Sequence, residues 1–115
     1  MTDKTRGMIS DNEIRKMKPT AHLINIGRGP IIDEPALINA LKTGIIAGAG
    51  LDVFTTEPLP PESEFWEMEN VVMTPHIGGL SPETRAMSFE MFLDNFKRYI
   101  NGESLISLID KQRQF

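Results

Sequence analysis

Apolar residues in this chain fall into short runs, and between the runs they recur at helical spacing. His22 to Ile26, Ile45 to Val53 and Val71 to Thr74 have the length and composition of strands. Ser10-Asp11-Asn12-Glu13 reads as a capping box, with Ile9 and Ile14 placed as a hydrophobic staple. That helix is expected to run to about Lys18 and to stop at Pro19. A second helix is expected from Asp33 as N-cap, with Pro35 in its first turn and Gly44 as C-terminal cap. Its buried stripe is Leu37, Ala40 and Leu41. Ser81-Pro82-Glu83 opens a long helix that presents Phe89, Phe92, Leu93, Phe96 and Tyr99/Ile100 on one face and ends at Gly102. Residues 55–70 form a loop stiffened by Pro58, Pro60 and Pro61, with Trp66 as its expected anchor.

Short apolar strands joined by helices predict an α/β fold with a parallel sheet. In such sheets ligands bind beyond the carboxyl ends of the strands. Three motifs fall there: Asn25-Ile26-Gly27-Arg28-Gly29, Asp52-Val53-Phe54-Thr55-Thr56-Glu57-Pro58 and Thr74-Pro75-His76-Ile77-Gly78-Gly79. Each carries an ionisable group. Arg28, between two glycines, offers a planar, permanently charged fork suited to a carboxylate. His76 gives or takes a proton near neutral pH. Glu57 beside it would favour the imidazolium and hold the ring. Taken singly, each has a plainer reading: a turn arginine in a surface salt bridge, a loop histidine satisfied by backbone, a solvated glutamate. Asp52 differs, because an acid closing an apolar strand needs a partner, either a ligand amide or a helix N-terminus. Gly48 and Gly50 interrupt the second strand and suggest close approach of another backbone or a ligand. His22, at the start of a strand, is read as structural.

Composition narrows the classes. With 115 residues the chain is one domain at most, and its 40% hydrophobic and 24% charged residues are those of an ordinary globular protein. A net charge of −4 gives no footprint for nucleic acid. No apolar stretch is long enough for a membrane span, and residues 1–7 contain no secretory h-region. The absence of cysteine excludes disulfides and thiolate metal sites, the acidic residues show no metal-ligand spacing, and a cytoplasmic location is expected.

The motifs together resemble the D-isomer-specific 2-hydroxyacid dehydrogenases. The likeness lies in Leu23-Ile24-Asn25-Ile26-Gly27-Arg28-Gly29 with Ile32-Asp33-Glu34, in Ala47 to Phe54 with Glu57-Pro58-Leu59-Pro60, and in Asn70-Val71-Val72 with Thr74 to Gly79. It runs from about Thr2 to Gly102. The resemblance implies a partial doubly wound, Rossmann-like parallel sheet with helical crossovers. It implies hydride transfer between NAD or NADP and a small D-2-hydroxy/2-oxo acid of the glyoxylate, hydroxypyruvate or phosphoglycerate type. Arg28 would bind the substrate carboxylate and carbonyl, His76 would carry the proton, and Glu57 would pair with His76. Asp52 would contact the nicotinamide carboxamide. Ile26, Gly27, Arg28 and the His76-Ile77-Gly78-Gly79 loop would line the nicotinamide and its ribose. The formate dehydrogenase branch has glutamine where Glu57 stands, so Glu57 favours a hydroxyacid.

The departure from the family is an absence. No Gly-x-Gly-x-x-Gly follows a strand, so the helix N-terminus that grips the pyrophosphate is not in this sequence, and cofactor binding is expected to be weak. Residues 1–102 read as the C-terminal part of a dinucleotide-binding domain ending in a long helix, and 103–115 as a tail that would pack on a substrate domain. Thr2 to Gly7 resembles a segment from the middle of the nucleotide domain, which reads Met1 as an internal start or a truncation. The 22–26 strand is expected to have an exposed edge, with bare apolar surface leading to self-association, as a dimer, or to low stability. Two rival readings follow: a fragment that folds or dimerises without catalysis, and an NAD(H)-sensing binding protein like the C-terminal-binding corepressors.

Overall fold

The computed structural model describes residues 1–114, in two units divided between Gly78 and Gly79. In the first unit, strands β1 (His22–Asn25), β2 (Gly48–Leu51) and β3 (Val71–Met73) form a parallel sheet in the order β1-β2-β3. The α/β class and the three parallel strands are as the sequence predicts. Only the β1-to-β2 crossover is an α-helix, however. The β2-to-β3 connection is the proline-rich loop, with a single 3-10 turn at Glu64–Glu67.

Helix α1 (Asp11–Ile14) is shorter than expected. Its capping box forms: the Ser10 amide donates to the Glu13 carboxylate at 3.1 Å, and the Ser10 hydroxyl donates to the same oxygen. The hydroxyl bond, then the amide bond, lowers the Glu13 carboxyl to about 2. Beyond Ile14 the amides of Lys16 and Met17 bond three residues back, to the carbonyls of Glu13 and Ile14. The chain tightens into 3-10-type turns before Pro19, which cannot continue a helix.

Helix α2 (Glu34–Lys42) begins as predicted. Asp33 accepts the Ala36 amide at 3.2 Å, and Leu37, Ala40 and Leu41 are buried. Gly44 takes φ +72 and the Ile45 amide reaches the Ala40 carbonyl at 2.9 Å, which closes the helix with a six-to-one bond. Strand β2 is confined to Gly48–Leu51, inside the longer run expected. At Gly48 a side chain would sit 2.6 Å from the Asn70 carbonyl oxygen and 2.9 Å from the His22 ring, the close approach that the glycine suggested. Gly50 has only ordinary contact with Ile24.

One face of the sheet is the core. Ala49 and Leu51 pack with Ile14, Leu37, Ala40, Leu41, Ile46, Phe54 and Phe65. The opposite face is bare: the register row Ile24, Gly50, Val72 leaves Ile24 71% and Val72 72% exposed. Strand β1 pairs only with β2 among the described residues. The expected free edge and exposed apolar surface are both present. The loop anchor is Phe65 and not the expected Trp66. Phe65 is the fully buried residue, and it packs tilted on Phe54 with ring centroids 6.0 Å apart. Trp66 is half exposed and ties the loop by donating its ring N–H to the Pro60 carbonyl at 2.9 Å. Both aromatics read alike in sequence, but only one can face the core from a 3-10 turn.

In the second unit, α3 (Pro82–Ile100) is capped by Ser81, which accepts the Thr84 amide at 3.1 Å, and Gly102 ends it with φ +71. Its predicted apolar stripe is exposed, with Phe92 and Phe96 stacked. The following segment folds back on the helix: the Asn95 side chain donates to the Ile106 carbonyl and accepts the Ile106 amide. Among the described residues no helix is long and apolar enough to cross a membrane.

Truncation separates the two loop aromatics. Phe65→Ala is expected to cost about 3–5 kcal/mol in urea unfolding, the range for a buried phenylalanine, and Trp66→Ala much less. Equal losses would contradict the assignment of the anchor.

Candidate active site

The site is assembled where the three strands end. After β1, Asn25 is buried and its side chain brackets the turn: Oδ1 accepts the Gly27 amide at 3.1 Å and Nδ2 donates to the Arg28 carbonyl at 3.0 Å. This fixes the backbone from which Arg28 projects. Gly29 passes so close to the next loop that an added Cβ would lie 2.0 Å from the Phe54 carbonyl carbon. No side chain fits there, so the first two loops are in direct backbone contact. Glu34, at the start of α2, accepts the Thr55 amide at 2.7 Å and holds the second loop from its other side.

Glu57 lies on that loop. Its Oε1 accepts the Phe54 amide at 2.9 Å, and its Oε2 lies 2.6 Å from Nδ1 of His76. The His76 hydrogen bond, then the Phe54 amide, holds the Glu57 carboxyl below the usual carboxylate range, and the charge of Arg28 acts in the same direction. With the shared proton on Nδ1, the Nε2 atom of His76 is left without a hydrogen bond among the described residues, available to a ligand.

His76 has φ +54, in the left-handed region. For a residue with a β-carbon this costs about 1 kcal/mol or more and needs support from its surroundings. The support comes from Asp52, which is buried just past β2. Its Oδ1 accepts the Thr74 hydroxyl and, at 2.8 Å, the Ile77 amide; its Oδ2 accepts the Gly78 amide at 2.8 Å. The Thr74 bond, followed by the two amides, holds the Asp52 carboxyl below its usual value despite burial. A side chain at Gly78 would lie 2.9 Å from Oδ2.

Glu57 and His76 are thus brought together as the sequence suggested. Arg28 is exposed and its guanidinium donates to the Gly27 carbonyl at 2.7 Å, with no ion pair among the described residues, so its fork remains open to an anion. Ile26 is 70% exposed, and its Cβ would lie 3.8 Å from a side chain added at Gly78; Ile77 is also exposed. Gly79 belongs to the second unit. His22 stands at the opposite end of β1, away from this site. An apolar cavity of about 380 Å³ adjoins the Glu57–His76 pair, walled by Phe54, Pro58, Leu59, Trp66, Met73 and Pro75. Asn25 and Thr74 shape these loops through side-chain hydrogen bonds, and their one signal in the sequence is a polar residue in or at the end of each outer apolar run.

The model of the D-isomer specific 2-hydroxyacid dehydrogenase NAD binding domain matches residues 1–78, the whole of the first unit. The chain belongs to this dehydrogenase family. It is 44% identical over 112 residues to glyoxylate reductase of Korarchaeum cryptofilum, covering 97% of this chain and 34% of that protein. Glyoxylate/hydroxypyruvate reductase B of Pectobacterium carotovorum is 45% identical over 112 residues, again 97% of this chain and 35% of the relative. Among solved members of the family, a D-isomer specific 2-hydroxyacid dehydrogenase from Xanthobacter autotrophicus, in complex with NADPH and MES, superposes with TM-score 0.90 at 40% identity, over 100% of this chain and 47% of that one. The NADPH-dependent glyoxylate/hydroxypyruvate reductase of Sinorhizobium meliloti, in complex with NADP and sulfate, gives 0.89 at 35% identity, over 100% and 37%. The chain spans about a third of the length of the curated relatives it matches.

The Glu57–His76 bond has a pH signature. A folded-state carboxyl below its unfolded value stabilises fully above the usual carboxylate range, and that contribution is lost as pH falls through the lowered value. The Glu57 side-chain carboxyl carbon, followed by NMR, is expected to titrate below the ordinary 4.5, and His76→Ala to move its midpoint upward. A midpoint unmoved by His76→Ala would contradict the pairing.

Proposed function

We propose that this chain supplies the catalytic half of a site that reduces a small 2-oxo acid to the D-2-hydroxy acid, and runs the reverse oxidation, with NAD(P)(H) as cofactor. The observation that carries the reading is the Glu57–His76 pair at 2.6 Å with Nε2 unbonded, at the carboxyl ends of the same sheet that presents Arg28. The names of the relatives support substrates of the glyoxylate or hydroxypyruvate type; the phosphoglycerate type rests on the sequence resemblance alone.

The residues fit a nicotinamide. Exposed Ile26 and Ile77 offer apolar contact to a flat ring, and Asp52 lies between the ends of their loops. An ionised carboxylate has about four acceptor sites, and the chain fills three, which leaves one for a carboxamide N–H. Gly27 and Gly78, without side chains, keep the approach to that region low. The bound cofactor supplies or accepts the hydride at C2 of the acid. Arg28 holds the substrate carboxylate with its fork and polarises the adjacent carbonyl. His76 delivers a proton from Nε2 to the carbonyl oxygen in reduction and takes it back in oxidation. Glu57 keeps the ring oriented through its bond to Nδ1. One hydride and one proton then convert C=O to CH–OH.

Affinity for the cofactor is expected to be low in this chain alone, because no Gly-x-Gly-x-x-Gly follows a strand to set a helix N-terminus against a pyrophosphate. A cytoplasmic homodimer is part of this reading, supported by the absence of cysteine and by the exposed Ile24 and Val72. That bare sheet face also favours a second reading, a segment that folds and associates without turning over substrate.

The test is reduction of glyoxylate and hydroxypyruvate with NADH and with NADPH. His76→Ala is expected to lower kcat by about 10²–10⁴, the usual worth of a positioned acid–base group. Arg28→Gln should act mainly on substrate KM. Turnover that survives His76→Ala undiminished would reject the proton role, and the absence of any turnover would favour the second reading.

A further inference from the structure

We infer that Thr74 is a positioning residue for His76, acting through the carboxylate of Asp52. Three facts converge on it. First, His76 is held in the left-handed region, a conformation its own side chain does not favour, and only one short bond within the loop, His76 amide to Thr74 carbonyl at 3.1 Å, lies inside the turn. Second, the two amides that follow, Ile77 and Gly78, both converge on Asp52, one on each oxygen. The left-handed turn at His76 is what aims them there. Third, Thr74 donates its hydroxyl to the same Oδ1 that takes the Ile77 amide, while its own amide extends the β2–β3 ladder to the Leu51 carbonyl.

Asp52 is therefore clamped from both sides of His76. Thr74 fixes the entry to the turn and the two amides fix the exit. The two amides, one on each oxygen, tie the carboxylate only to the exit of the turn, so carboxylate and exit are free to shift together relative to the end of the strand. The Thr74 hydroxyl removes that freedom. The consequence is read at the imidazole: with the turn fixed, Nδ1 stays on Glu57 and the proton stays on Nδ1. Thr74 touches neither substrate nor the reacting atoms. Its value for catalysis rests on the proton role proposed for His76, but its effect on the ring does not.

The test uses the NMR signals of the imidazole nitrogens, observed through the carbon-bound ring protons in the neutral ring. The chain has two histidines, so His22 serves as an internal reference. Native protein and Thr74→Ser are expected to show His76 as the Nδ1–H tautomer. Thr74→Val, which keeps the shape and removes the hydroxyl, is expected to lose that preference, with His22 and the methyl signals of Ile14, Leu37 and Ile46 unmoved. Glu57→Gln, which removes the carboxylate charge facing the ring, shows how far the His76 signals can move. An unchanged His76 ring in Thr74→Val overturns the inference. So does native protein without the Nδ1–H preference, or general loss of the core methyl signals in Thr74→Val, because the role assigned is local. Lack of reductase activity would reject the proposed function and leave this test intact; an active reductase with an unmoved ring in Thr74→Val would reject the positioning role alone.

Discussion

The buried carboxylate of Asp52 is the interaction on which the candidate site depends. It sits just past the central strand, where an unpaired charge would be costly, and its three hydrogen bonds all come from the loop that carries His76. The dependence is mutual. Without the loop the acid would be left buried without partners. Without the acid, the left-handed residue would have no reason to hold its backbone. The polar closure of the central strand and the placement of the imidazole are thus one structural event.

The same economy joins the other loops. Gly29 lets its backbone lie against that of Phe54, and Glu34 takes the Thr55 amide. The segment from Phe54 to Glu57 is held between them, and Glu57 in turn binds the amide of Phe54 before it reaches His76. Arg28, by contrast, has its backbone set by Asn25 and its guanidinium bonded to the neighbouring Gly27 carbonyl, with no ion pair among the described residues. The proton carrier proposed in His76 needs a fixed direction, whereas the carboxylate binder proposed in Arg28 needs an open fork. The loops provide each in turn, and they do so from the ends of rigid strands.

Much of this was legible in the sequence. Asp33, Pro35, Leu37, Ala40, Leu41 and Gly44 specified α2 from cap to cap, because local capping chemistry and a buried stripe agreed. The motifs containing Arg28, Glu57 and His76 told which groups would gather, since parallel strands put their ends on one side. What was not legible depended on distance in space. The length of α1 was set by a local shift to three-residue bonds before Pro19, a choice that periodicity does not report. Phe65 and Trp66 could not be ranked without knowing which way a 3-10 turn faces. Asp52 was recognised as needing a partner, but its partners lie more than twenty residues on, in Thr74, Ile77 and Gly78. Thr74 belongs to the motif that carries His76, but its bond to Asp52 spans 22 residues and no local pattern announces it.

The central claim is that the carboxyl ends of β1, β2 and β3 form one surface that receives both nicotinamide and 2-oxo acid. Amide chemical shifts followed while NADPH, and then glyoxylate, are added to the labelled chain test it most directly. The account predicts shifts at Ile26, Gly27, Ile77 and Gly78 with the cofactor and at Arg28 and His76 with the acid, while residues at the opposite strand ends, His22 and Gly48 among them, stay still. Shifts centred on those opposite ends, or none at any residue up to millimolar ligand, would contradict it.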